Sequence, residues 1–286
     1  MNSILKSNIN FKTRTMKTFK NTIYLALIVG IVSCKDQKKN ETTETETQVQ
    51  EVMDTSKAPS ITLEKLEGSP AYLDAALGMK QPASEEIKGV GETSFSFTVE
   101  NYELEAQTTG DNAEVLANSG KGQHIHFILN NQPYSAHYEP DFKKELPEGV
   151  HHLVAFLSRS YHESVKNPNS VVVKKLTVGN NPKDAVGLEM SAPTLIYSRP
   201  KGTYKGKDTD NLLLDFFVLN TTLSEEGNKV RATINGQEFM IAEWAPQVIK
   251  GLPMGEVTID LALVDDEGDL IPGPFNKVSR TVTLTE

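Results

Sequence analysis

The amino-acid sequence predicts an all-β chain of two tandem sandwich domains, and three observations carry that reading. Short alternating runs recur between turn signals: SFSFTVENYEL, HIHFILNN, VVVKKLTV, LLLDFFVL, VRATINGQEFMIA and VTIDLALV. The second half repeats the first at an offset of about 105 residues. GKGQHIHFILNNQPYSAHY lies over EGNKVRATINGQEFMIAEW, LPEGVHHLVAFL over LPMGEVTIDLAL, and NSVVVKKLTV over NKVSRTVTL. Upstream, SPAYLDAALGMKQP lies more loosely over SAPTLIYSRPKGTY. Finally, no long helical period runs anywhere along the chain, and only a short helical turn is expected, near Tyr72 to Met79.

The elements follow in chain order. Residues 1–33 hold five basic side chains (Lys6, Lys12, Arg14, Lys17 and Lys20), no acid, and an apolar run from Ile23 to Val32 that ends at Ser33-Cys34. A charged start, a hydrophobic centre and a small residue before the cut are the pattern of a removable export signal, with Met16 an alternative start to Met1. The apolar run is about half of the ~20 residues needed to span a bilayer. Cys34 is the one cysteine of 286 residues, so no disulfide forms within the chain. Ile31-Val32-Ser33-Cys34 resembles the lipobox of bacterial lipoproteins, and Lys35-Asp36-Gln37 resembles the Lys-plus-acidic signal that sends Bacteroidota lipoproteins to the cell surface. The resemblance implies lipidation at Cys34 and an outer-membrane protein, periplasmic or surface-exposed, whose membrane partner is its own lipid anchor.

Residues 34–60 (KDQKKNETTETETQVQEVMDTSKAPS after the cysteine) are nearly free of large apolar side chains. Such a segment cannot bury enough surface to offset ordering entropy, and it reads as a disordered tether. Without the leader, 24 basic residues face 38 acidic ones, a net charge of −14. That balance excludes nucleic acid as a partner, because phosphate binding needs a basic footprint.

The two copies that follow, 61–180 and 181–286, are each of a length and strand rhythm that suit an immunoglobulin-like sandwich; a single large barrel is the alternative. Asn130-Asn131 and Asn235-Gly236 read as two-residue hairpin turns. Taken literally, the first turn pairs Leu129 with Gln132, Phe127 with Tyr134, Ile125 with Ala136 and His124 with His137. The second pairs Ala232 with Phe239 and Val230 with Ile241. Both registers put the apolar set on one face.

All six histidines fall in the first copy, between His124 and His162, and the second copy has Lys229, Arg231, Ala242, Val257, Thr258 and Gly268 at matching places. The fold therefore does not need them. With Ile125, Phe127 and Leu129 facing the core, His124 and His126 point outward together, joined by His137 across the hairpin. Sandwich topology places the next strand, from Gly149, antiparallel beside them, which brings His162 to the same end and leaves His151 and His152 at the far end. His124, His126, His137 and His162 are the expected metal ligands, with Tyr161, Glu163, His151 and His152 as accessories. Imidazole ligation suits Zn²⁺, Cu²⁺ or Ni²⁺, and zinc or copper is the expected ion. The alternatives for these residues are a titrating histidine surface and imidazoles packed on Tyr134 and Tyr138.

The first copy resembles a family of small periplasmic His-x-His immunoglobulin-like domains of unknown function. The residues that carry the likeness are Gly122, His124, His126, Pro147, Gly149, His151 and His162, over about 60 residues. The second copy departs from it in lacking the histidines. No catalytic triad context, nucleophile elbow or phosphate-binding glycine loop occurs, which argues against an enzyme; a zinc hydrolase would need Glu163 as its acid. Asp265-Asp266-Glu267-Gly268-Asp269 lacks the ligand spacing of a calcium loop and reads as a solvated hairpin. The function expected from these features is divalent-metal binding by a non-enzymatic envelope protein. The alternative is a surface recognition or adhesion module for an envelope protein, a peptide or a glycan.

Overall fold

The structure, a computed structural model, describes residues 60–286; the expected leader, Cys34 and the tether up to Pro59 lie outside the described residues. The chain opens with β1 (Thr62–Lys65). Eight strands then build a first sandwich: β2 (Ala76–Gln81), β3 (Glu86–Ile87), β4 (Gly91–Glu100), β5 (His124–Leu129), β6 (Ser135–His137), β7 (Asp141–Leu146), β8 (Gly149–Ser158) and β9 (Val171–Val178). Eight more build a second: β10 (Thr194–Arg199), β11 (Gly202–Lys205), β12 (Leu212–Leu219), β13 (Lys229–Ile234), β14 (Gln237–Ile241), β15 (Gln247–Lys250), β16 (Gly255–Val264) and β17 (Lys277–Thr285).

The internal repeat is a repeat of topology. In the first sandwich a sheet ordered β2-β4-β7 packs on one ordered β3-β9-β8-β5-β6; in the second, β10-β12-β15 and β11-β17-β16-β13-β14 stand in the same order. The short edge strand is parallel in both copies, β3 to β9 and β11 to β17. The sheets are those of tandem immunoglobulin-like sandwiches. The looser upstream overlay is displaced: β2 and β10 each break register just before a proline, at Met79/Gln81 and Tyr197/Arg199, so Gln81-Pro82 corresponds to Arg199-Pro200. No helix forms over 72–79: residues 72–75 close a single turn, Ala75 N to Tyr72 O at 3.2 Å, and β2 follows from Ala76; the short helical segments among the described residues are α1 (Asn112–Val115) and a 3-10 turn at Gly206–Thr209.

β1 belongs to neither repeat. It pairs with β15, Leu63 opposite Ile249, and Ile61 and Leu63 pack on the second core, so the residues just after 60 serve the second sandwich although the first follows them in sequence.

Each sandwich has its own apolar core, the first around Phe95, Phe127, Leu153 and Leu157, the second around Leu214, Phe216, Ile259 and Leu261. A third cluster joins them: Ile128, Val154 and Phe156 from β5 and β8 meet Ile196 and Phe217 from β10 and β12. The central strands of these two sheets are thus buried on both faces. LLLDFFVL shows why, because a continuous apolar run supplies large side chains to the core and the seam alternately: Leu214, Phe216 and Val218 inward, Phe217 outward. Burying a side chain of this size contributes about 1.5–3 kcal/mol, so the seam is a stabilising interface and not a loose contact.

Polar groups finish it. Lys166 of the first sandwich forms an ion pair with the fully buried Asp215 of β12, which also accepts from the Ser164 hydroxyl at 2.9 Å. Asn131, at the tip of the β5–β6 hairpin, donates to Leu195 O at 3.1 Å and accepts from Tyr197 N at 2.8 Å, pairing its side-chain amide with β10.

Candidate metal centre

Strand alternation sets the site. His124 and His126, two residues apart on β5, leave the core to Ile125 and Phe127 and project into the seam. They are not outward in the sense of solvent: both are fully buried, because the second sandwich covers that face. β8 runs antiparallel beside β5, with His124 opposite Ser158 and His126 opposite Phe156, as the topology predicts. The turn after β8 then carries His162 back over this pair. His162 N donates to Arg159 O at 2.9 Å, and the Arg159–Glu163 ion pair at 2.9 Å braces the turn. His162 has φ 72, a left-handed conformation that costs a side-chain-bearing residue about 1 kcal/mol or more and that clusters at functional sites.

Three ring nitrogens converge. His124 Nε2 lies 3.0 Å from His126 Nε2 and 3.1 Å from His162 Nδ1, and the three ligand atoms fall within 4.8 Å of one another. Nitrogens held about 2.0–2.1 Å from one ion sit roughly 3.0–3.4 Å apart, so both spacings from His124 fit a common cation, while the widest span of the trio has to close for all three to ligate it. The far sides of two of the rings are already oriented. His124 Nδ1–H donates to Gly122 O at 2.8 Å, a contact that a carbonyl can only accept, which leaves the Nε2 lone pair facing the centre. His126 Nδ1 meets Ser198 Oγ of β10 at 3.2 Å. Gly122 must be glycine: its φ is 85, and a Cβ there would lie 2.1 Å from Glu105 O.

Burial keeps the rings neutral. Desolvation pulls His124 down to about 4 and holds His126 and His162 well below the ordinary histidine value, with Arg199 and Lys201 adding to the effect. Neutral imidazole is the ligating form, so no proton competes with an ion near neutrality. Tyr134 stacks on His126 with ring centres 3.5 Å apart, and its hydroxyl lies 3.2 Å from His162 Nδ1.

His137 does not join them. The register places Ile125, not His124, opposite His137, one residue away from the hairpin rule. The turn itself is as expected, with Asn130 at φ 51, Asn131 at φ 54 and Gln132 N bonded to Leu129 O. The slip comes after it, at Pro133, which has no N–H for the ladder and so admits one extra residue before β6 starts at Ser135. His137 therefore turns to the first core, stacked on Phe142 at 3.4 Å and bonded to Ser135 Oγ at 2.9 Å. In the second copy, which has Gln237 at once after Gly236, the expected pairs Ala232–Phe239 and Val230–Ile241 are observed.

The accessory residues have other tasks. Tyr161 donates to Ser69 Oγ at 2.9 Å and Glu163 is committed to Arg159 and Ser69, so neither reaches the trio and Glu163 is not available as a hydrolytic acid there. At the far end, as expected, His151 accepts from the Asn130 amide at 3.2 Å and donates to Pro147 O at 2.9 Å. His152 Nδ1 lies 3.3 Å from Met190 Sδ. Ser198 and Tyr134 are the partners that sequence reasoning missed or took only for packing. Nothing local marks Ser198, because its role depends on how the copies dock.

No protein-family model and no curated protein matches the chain. Solved structures similar to it include the fibronectin(III)-like modules of Clostridium thermocellum CbhA, at 14% identity over 73% of this chain and 94% of that one, TM-score 0.26. The two tandem V-type regions of the chitin-binding protein VCBP3 match at 8% identity over 79% of this chain and 99% of that one, TM-score 0.22. The central fibronectin-III array of RIM-binding protein matches at 10% identity over 78% and 71%, TM-score 0.23. Scores of this size say nothing of function, and the fold rests on the sheet order given above.

Proposed function

We propose that the chain is a non-enzymatic, lipid-anchored envelope protein that binds one zinc or copper ion through His124, His126 and His162. The observation that carries the reading is the convergence of three neutral imidazole nitrogens on one point, with the His124 lone pair aimed there by the Gly122 carbonyl. A lone pair facing two further nitrogens at this distance is satisfied by a shared proton or by a cation. The four-ligand set expected from sequence is reduced to three, which leaves a coordination position for a small exogenous ligand.

Calorimetric titration of the purified protein with ZnCl₂ and with CuCl₂ at neutral pH tests it. One-to-one binding, weakened at least 100-fold in a His124→Ala/His126→Ala variant, is expected; binding that the double variant leaves intact would overturn the assignment. The anchor is a separate proposal, supported by the lipobox-like Ile31–Cys34. Radiolabelled palmitate incorporated by the wild type and absent from Cys34→Ser is the expected result.

A second reading, recognition of a polar ligand such as a glycan, has its own support in a surface cleft of about 650 Å³ where Tyr138 and Phe142 lie among Glu105, Glu139 and Asp141. Aromatic and carboxylate groups in one cleft suit hydroxyl-rich ligands, and a glycan array distinguishes this reading from the metal site.

A further inference from the structure

Beside the trio, the seam gathers three cations that form no ion pair among the described residues, although Asp215 stands opposite Arg199 in the β10–β12 register and the charge of Asp260 acts on Tyr197. Arg199 closes β10, Lys201 leads into β11, and Arg280 lies on β17, the strand on which β11 pairs with Gly202 opposite Val282. The Arg199 guanidinium and Lys201 Nζ sit 5.3 and 3.9 Å from the Tyr134 ring centre, and Arg280 sits 5.3 Å from that of Tyr197. Among the described residues no ion pair includes any of the three. That is unusual in a chain with 38 acidic against 29 basic side chains, where carboxylates are plentiful.

Burial sharpens the imbalance. Arg199 is 8% exposed and its Nε–H has no partner; Tyr197 is 1% exposed and its hydroxyl has none either. Desolvating a charge or a hydroxyl without a partner costs free energy, and most buried polar groups are paired for that reason. The other contacts of the cluster are to neutral oxygens only: Arg199 Nη1 donates to Tyr204 Oη at 2.9 Å, Lys201 Nζ to Tyr134 O at 2.7 Å, and Arg280 to Asn131 O. An ammonium with three donors and a guanidinium with five have donors to spare after one such bond each. Lys201 and Arg280 are only part-buried, so the cluster communicates with solvent.

We propose that Arg199, Lys201 and Arg280, with the Tyr197 hydroxyl, form a binding site for a small oxyanion of the phosphate type. Guanidinium forks match tetrahedral and planar oxyanions and Lys201 adds a point charge, while the two unpartnered donors supply fixed hydrogen bonds on the buried side. The site shares no ligand group with the histidine trio, although Tyr134 touches both and Arg199 and Lys201 act on the rings through their charge.

The test is calorimetric titration of the purified full chain with inorganic phosphate, with a chelator present and the ionic strength held constant with chloride. Saturable one-to-one binding is expected. Lys201→Gln and Arg280→Gln are each expected to weaken it about tenfold or more, and His124→Ala/His126→Ala to leave it unchanged. No saturable binding, or binding indifferent to both seam variants, would overturn the proposal. Should a variant fail to fold, the wild type decides: the Arg199 and Arg280 Nε–H resonances move on phosphate addition if the site exists and stay fixed if it does not.

Discussion

His162 is the residue whose backbone speaks most directly of function. A left-handed φ of 72 is one that glycine adopts freely, so a position selected for stability alone favours glycine or asparagine. His162→Gly is expected to leave stability unchanged or to raise it by up to about 1 kcal/mol in urea denaturation, while removing metal binding. A clear loss of stability would show the imidazole to be chiefly structural. The neutral rings also fix a pH dependence. His124 and His137 are both held at about 4 by burial, against an unfolded value near 6.5. Between those values the unfolded chain binds protons that the folded one refuses, so stability is level above pH 6.5 and falls as the pH drops from 6.5 to 4. The slope is about 1.4 kcal/mol per pH unit at most for a buried ring such as His124. Urea midpoints at pH 7.5 and 5 check it, and equal midpoints would mean that these rings are protonated in the fold.

At the level of the strand and hairpin, the sequence is largely legible and fails at one definable point. Alternation in HIHFIL assigns Ile125 and Phe127 to the core and both early histidines to the other face, and antiparallel β8 brings His162 to them, as observed. The hairpin rule holds where Gly236 is followed directly by a ladder donor and fails where Pro133 intervenes, a distinction present in the residues but outweighed by the resemblance of the two turns. The expected consequence is sharp: His137→Ala leaves zinc affinity within about twofold of wild type, whereas His126→Ala lowers it by at least 100-fold in the same titration. Equal losses would restore the four-histidine site and require the hairpin to shift register on binding.

Across the whole molecule, the seam is what pattern reading could not supply. HIHFIL, VHHLVAFLS and LLLDFFVL put large or buried side chains on both faces of their strands, a sign that a second surface must cover them, but nothing in a single run says which. Docking of the second sandwich converts an outward histidine face into a desolvated one and brings Ser198, Arg199 and Lys201 to it. The second copy, without histidines of its own, thereby takes part in the site as the wall that keeps the rings neutral. If so, breaking the seam without altering a ligand should weaken the site. Asp215→Ala removes the partner of Lys166 and the acceptor of Ser164 without touching any histidine. Leaving a buried cation unpaired typically costs about 3–5 kcal/mol. In the folded fraction at low temperature, zinc affinity is expected to fall at least tenfold as water enters the seam and the rings regain a near-normal affinity for protons. Calorimetry at pH 6 and pH 8 separates the causes, because a loss larger at pH 6 reports recovered protonation, while equal losses report misplaced ligands. An unchanged affinity would mean that the first sandwich builds the centre unaided.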